Sequence, residues 1–132
     1  MTLCATDAYN AAMTGTATMK PVESARMVVD VASEKLASDI VMLDLNGVSD
    51  FTDYFVILTV ESSRQMRSVA EDIEESLTEA GARLHHVEGT RNSGWMLMDF
   101  GDVIVHIMGP EERDFYRIEA AWSEAQEIVR IQ

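Results

Sequence analysis

Cysteine is almost missing from this 132-residue chain: Cys4 is the only one. A lone cysteine excludes an internal disulfide framework, so a reducing compartment fits. Long apolar runs are missing too. No stretch approaches the ~18 residues of a membrane span, and no basic segment followed by an apolar one marks a signal peptide. The chain is therefore expected in the cytoplasm. Basic residues are scarce, with 10 Lys and Arg against 23 Asp and Glu, a formal net charge of −13. Phosphate binding needs clusters of Lys and Arg, so a nucleic-acid backbone is a poor direct partner. A basic protein surface would instead be drawn in over long range, although the same charge also serves solubility.

Motifs of chemistry are equally sparse. There is neither a G-x-x-x-x-G-K-[ST] nor a G-x-G-x-x-G loop to cradle phosphates. Asp99-Phe100-Gly101 matches the kinase triplet, but the rest of that signature set is lacking. Asp44-Leu45-Asn46-Gly47 has the wrong ligand spacing for an EF-hand. His85 and His86 are adjacent, so on a strand they face opposite ways and do not share a metal easily. Cys4 has no nearby base, and Ser62 and Ser63 read as helix caps rather than nucleophiles. No cofactor and no metal are indicated.

What is present is a globular pattern, 47% hydrophobic, of a length that suits one domain. Residues 1–20 are small, polar and aperiodic and read as a disordered extension, with Met13 or Met19 as alternative starts. Residues 21–132 form the single domain. Val22, Ala25, Val29, Ala32 and Leu36 recur at helical spacing, giving a helix that ends near Ser38. Ile40–Leu43 is a short buried strand, 44–53 a loop, and Tyr54–Val60 a second strand. Ser62 and Gln65 form a capping box for a helix whose apolar face is Met66, Val69, Ala70, Ile73, Leu77 and Ala80, closed by Gly81. Arg83–Glu88 is a more polar strand, suited to an edge, and 89–94 a loop. A last helix opens at Pro110 with acids in its first turn, and Phe115, Ile118, Trp122, Ala125 and Val129 mark its buried stripe. The unit from Tyr54 to Glu88 implies a right-handed parallel crossover. The expected fold is α/β, a mixed five-stranded sheet with helices packed mainly on one side.

Between those helices lies the most informative stretch. Trp95–Phe100 and Val103–Met108 are apolar runs joined by Gly101-Asp102, the pattern of a β-hairpin with a II′ turn. Opposite residues of such a pair share a face. Met96, Met98 and Phe100 then lie beside Ile107, Val105 and Val103, a wholly apolar core face. The other face sets Trp95 opposite Met108, Leu97 opposite His106 and Asp99 opposite Ile104. Covered by a helix, this second face would be ordinary core; bare, it is an apolar patch with polar tips, the mark of a binding site.

The residues also carry a resemblance. Asp39-Ile40-Val41 with Asp44, Thr52 to Ile57, Ser63-Arg64-Gln65, Val87-Glu88-Gly89, the spaced run Trp95-x-Leu97-x-Asp99-x-Gly101 to His106, and Glu112-Arg113-x-Phe115-Tyr116-x-Ile118-Glu119-x-x-Trp122 resemble the Iojap-like family of ribosomal silencing factors. The likeness covers roughly residues 22–122. It departs from the family at Val60-Glu61, where a turn glycine is usual, at Phe100, where Tyr is common, and at Ala120-Ala121. The resemblance implies a nucleotidyltransferase-like fold without enzymatic activity, commonly a homodimer when free. It implies binding to the large ribosomal subunit through its protein L-fourteen, which blocks small-subunit joining and lowers translation; organellar relatives act in large-subunit assembly. Matching by motif puts Trp95, Asp99, His106 and Tyr116 at the partner surface.

Residue pattern and resemblance meet on the second hairpin face, expected to stay bare in the monomer. Trp95 is its anchor, Leu97 and Met108 widen the apolar area, and Asp99 offers a carboxylate to a Lys or Arg. His106 and Tyr116 supply polar handles. Arg113 reads as a structural pair for a nearby acid. Trp122 reads as core. Two alternatives to silencing remain: a large-subunit assembly factor using the same surface, and a nucleotidyltransferase-like enzyme. The enzyme lacks support, since Ser93-Gly94 reverses the expected Gly-Ser order and Asp99 and Asp102 straddle a turn instead of alternating along one strand.

Overall fold

The computed structural model describes residues 19–90 and 92–132, so the expected disordered extension over 1–20 lies almost wholly outside the described residues. The first helix, α1 (Pro21–Glu34), starts where proline is tolerated, with the Lys20 N–H donating to Glu23 Oε1 at 2.9 Å. It buries Ala25, Val28, Val29 and Ala32 but ends a turn earlier than its spacing predicts. Leu36 takes a left-handed φ of 64° and stays exposed, outside the apolar stripe. Two strands follow, β1 (Ser38–Asp44) and β2 (Tyr54–Thr59), antiparallel to each other.

The second helix, α2 (Ser63–Glu79), forms as its capping pattern predicts. Ser62 Oγ accepts the Gln65 N–H at 3.0 Å, while Gln65 Oε1 reaches back to the N–H of Glu61 rather than Ser62. Gly81, at φ 100°, lies just past its end. Next come β3 (His86–Thr90), β4 (Trp95–Asp99) and β5 (Val103–Met108). β3 is an edge strand as expected, but it sits further along the chain than Arg83–Glu88. Gly89 belongs to it at φ 78°, where a Cβ would run into the Trp95 carbonyl.

The predicted last helix is replaced by three elements. α3 (Pro110–Tyr116) stops at Arg117, which adopts φ 49°; a short turn, α4 (Ile118–Ala121), follows, and then strand β6 (Gln126–Ile131). The sheet is therefore six-stranded, not five, in the order β3-β4-β5-β2-β1-β6. The reason lies in composition and edge chemistry: Ile128, Val129 and Ile131 are β-branched, and pairing with β1 satisfies an edge that would otherwise stand open. Phe115, placed on a buried stripe by the helical spacing, is 77% exposed.

β2 runs parallel to β5, and the other neighbouring strands are antiparallel. The expected crossover from β2 through α2 to β3 thus passes over β5 and β4 instead of joining neighbours. The long helices α1 and α2 cover one sheet face, packing on Met98, Phe100, Val103, Val105 and Ile107 of the hairpin. The second face carries a smaller core of Val41, Leu43, Phe55, Ile57, Ile104 and Met108, closed by Ile118 and Trp122.

Arg113 locks that closure. Its buried guanidinium grips Glu119 with Nε at 3.3 Å and Nη2 at 2.9 Å, and donates from Nη1 to Thr59 Oγ1 on β2 at 2.9 Å. Asp39 lies 3.6 Å away, itself paired with Arg130 of β6 at 3.0 Å. Arg113 is the structural pair its sequence context suggests. Breaking a buried pair strands its partner, so Arg113→Ala is expected to lower unfolding free energy by about 3 kcal/mol in urea titrations. Arg67→Ala, which removes a solvated pair with Glu71, is expected to change it by less than about 0.5 kcal/mol.

Candidate functional site: an aromatic line across the second sheet face

The hairpin forms in the predicted register: Trp95 faces Met108, Leu97 faces His106 and Asp99 faces Ile104. Gly101 turns the chain at φ 87°, with the Phe100 N–H donating to the Val103 carbonyl at 2.9 Å. The second face is not bare, however. The chain doubles back at Gly109-Pro110, and α3 and α4 lie over β5 and β2. Met108 is consequently fully buried and His106 is 5% exposed, so neither offers surface to a partner. Among the described residues, the β3–β4 end of the face remains open.

There a shallow groove of about 350 Å³ is lined by Glu88, Gly89, Ser93, Trp95, Leu97 and Tyr116. Of the six predicted partner residues it gathers three, Trp95, Leu97 and Tyr116. Asp99 stands apart at the turn, where its Oδ1 accepts the Gly101 N–H at 2.7 Å. Sequence reasoning missed Glu88 and Ser93 as groove walls because it placed β3 too early. In the actual register Glu88 lies opposite Leu97, which a positive-φ role for Gly89 could have signalled.

The groove is one end of an aromatic line. The Trp95 ring packs on Tyr116 with centroids 4.6 Å apart, and Tyr116 meets the exposed Phe115 edge-on at 5.0 Å. In the other direction Trp95 lies 5.9 Å from His106, His106 is edge-on to Phe55 at 4.7 Å, and Phe55 meets Trp122 at 5.5 Å. Phe51, 58% exposed, ends the line against Trp122. Such tilted and edge-to-face pairs are favoured by ring quadrupoles. Trp122 is half-buried in this second-face core, not on the predicted helix stripe.

One hydrogen bond ties the groove to the core beneath it: the Trp95 indole N–H donates to His106 Nδ1 at 3.2 Å. Burial, assisted by the positive charge of Arg113, lowers the His106 pKa to about 4. Glu119 carries opposing influences. Its own burial raises its pKa, but the hydrogen bond and charge of Arg113 and the field of Arg130 outweigh it, leaving the carboxyl below its ordinary value.

These shifts fix a pH dependence. In the unfolded chain His106 takes up a proton as pH falls through about 6.5, whereas in the fold it does so only near 4. Stability is therefore lost on acidification across that window, by about 3 kcal/mol when complete. Glu119 adds to the loss at still lower pH, because its depressed carboxyl stabilises the fold only while ionised. Urea midpoints measured between pH 7 and pH 4 should fall accordingly, and His106→Phe should remove most of the decline above pH 4.5.

A family model described as "Ribosomal silencing factor during starvation" matches residues 18–132. Ribosomal silencing factor RsfS of Bacillus subtilis is 34% identical over 100 residues, which cover 76% of this chain and 85% of that one. The mouse protein named "Mitochondrial assembly of ribosomal large subunit protein 1" is 28% identical over 100 residues, covering 74% of this chain and 44% of its own. A crystal structure of a Chromobacterium violaceum protein superposes with a TM-score of 0.76 at 32% identity, covering 80% of this chain and 88% of that one. The chain belongs to the ribosomal silencing factor family.

Proposed function

We propose that this protein docks on the large ribosomal subunit through the open β3–β4 end of its second sheet face and blocks small-subunit joining by occupying space, with no chemical step. The observation that carries the reading is Trp95: half-buried, held from below by His106 and flanked by the half-exposed Tyr116. A fixed aromatic ring on an otherwise apolar groove is the anchor type that dominates binding energy at protein interfaces. The partner we infer is the basic ribosomal protein L-fourteen. Glu88 on the groove wall and Glu112 of α3, whose carboxylate lies against Gly94 next to Trp95, set negative charge beside the anchor, and the net charge of −13 steers a cationic surface toward it. Asp99 lies along the same strand as a further carboxylate for a Lys or Arg.

A homodimer of the free protein belongs to the same reading, since an uncovered apolar groove favours association. On this reading a nucleotidyltransferase-like architecture would serve as a scaffold without catalysis. One oxygen of Asp99, Oδ1, is engaged at the turn, and Asp44 Oδ1 is occupied by both the backbone and side-chain nitrogens of Asn46 at 2.9 Å. The mouse relative's name favours a second use of the same surface, in large-subunit assembly.

Trp95→Ala is expected to weaken co-sedimentation with large subunits by more than about thirtyfold, and Tyr116→Ala, on an exposed ring, by less. Undiminished co-sedimentation of folded Trp95→Ala would sink the assignment. Equal binding to mature and precursor subunits supports silencing; preference for precursors supports assembly.

A further inference from the structure

His106 poses a question that packing alone does not answer. It lies in the middle of β5, between apolar neighbours, where a Phe or Leu would fill the space without desolvating any polar atom. Its Nδ1 is satisfied by Trp95, but its Nε2 is buried and has no hydrogen-bond partner among the described residues. An indole N–H can only donate, so Nδ1 must present a lone pair, and the proton of the neutral ring must sit on Nε2. A buried N–H is thereby left without an acceptor, a destabilising arrangement that natural structures seldom keep without a reason. The one property an imidazole has here that an apolar ring lacks is an acceptor aimed at Trp95.

We infer that His106 is a positioning residue for the docking anchor: its Nδ1 fixes the Trp95 indole in the groove, and the fold tolerates the orphaned Nε2 proton to keep that acceptor in place. This rests on the docking role proposed for Trp95. The surroundings suit the task. From β2 and β4 His106 meets Phe55, Ile57, Trp95 and Leu97, none of which titrates. From α3 the one charged group bearing on it is Arg113, whose guanidinium is already held by Glu119. Nothing among these neighbours stabilises an imidazolium, which would have no lone pair to offer. Anchoring before binding matters because an indole that must be ordered on contact subtracts that ordering from the affinity.

The test uses three substitutions in the full chain. His106→Phe keeps a ring against Phe55 but removes both the acceptor and the orphan. Its melting temperature is expected to be unchanged or higher, the Trp95 indole resonance, assigned with Trp122→Phe, to move and exchange faster with solvent, and large-subunit binding to weaken about fivefold to tenfold. His106→Gln, whose carbonyl can accept the indole N–H, is expected to recover part of the binding. A purely structural histidine would show the reverse, with stability falling and binding by the folded fraction intact. His106→Phe that binds like the parent overturns the positioning role and leaves the docking face standing. Undiminished subunit binding by folded Trp95→Ala overturns the docking face itself. Should His106→Phe fail to fold, nitrogen chemical shifts of the parent's imidazole at pH 7 decide the matter. The neutral Nε2–H tautomer supports the inference, and the Nδ1–H tautomer or an imidazolium refutes it.

Discussion

The fork between Arg113 and Glu119 decides what this molecule shows to solvent. In a continuous helix a residue six positions on would lie about 240° round the axis, on the far side from its partner. The two side chains meet at 2.9 Å only because Arg117 breaks the helix in the left-handed region. That break turns α4 inward, seats Ile118 and Trp122 on the second sheet face, and frees the chain to return as β6. The network reaches further, since Asp39 on β1 and Arg130 on β6 join the same cluster and tie the closure to the sheet edge. Ion pairs around a buried guanidinium seldom add net stability over apolar packing, and here Arg113 alone is buried while Glu119, Asp39 and Arg130 reach solvent, so the cluster is better understood as fixing where the C-terminal segment lies. Where it lies covers β5 and β2 and leaves β4 open.

The open end is consequently rigid rather than merely exposed. Trp95 has a ring neighbour on either side, Tyr116 above and His106 below, and its one polar atom is satisfied within the fold. The strand carrying it is fixed on both sides, by β5 and by β3, where Gly89 allows the backbones to approach closely. A surface built this way gives up little conformational entropy when covered. It suits a protein whose action is to occupy space.

Much of this was legible in the residues. The hairpin register followed from two apolar runs and a two-residue turn, because a period of two and a tight loop leave no freedom to slip. The capping pattern at Ser62 and the apolar stripe of α2 were equally unambiguous. What failed was the last helix. Ile118, Trp122, Ala125 and Val129 recur at helical spacing, yet the decisive influences are long-range: a salt bridge six residues apart in sequence and an edge of β1 in need of a partner. Local periodicity contains neither. The same error carried into the site. With α3 and α4 running on as one core helix, the second hairpin face had nothing to cover it, and His106 and Met108 read as surface. Trp95 and Leu97 kept their place because they lie at the margin of that cover, where Tyr116, the last residue of α3, packs on Trp95 and stays half-exposed.

The half-covered face also explains why a histidine and a tryptophan sit together at its boundary. Deep under α3 and α4 an apolar residue would serve best, and out in the groove a solvated polar group would be harmless. His106 stands between these regimes, dry enough that burial keeps it neutral and close enough to the opening to touch the anchor. Farther under the cover it would have no indole to hold; farther out, water would compete for its lone pair and the hydrogen bond would specify little. The covering segment therefore does more than shield a core, for it creates the dry environment in which a single 3.2 Å contact can orient a half-buried ring.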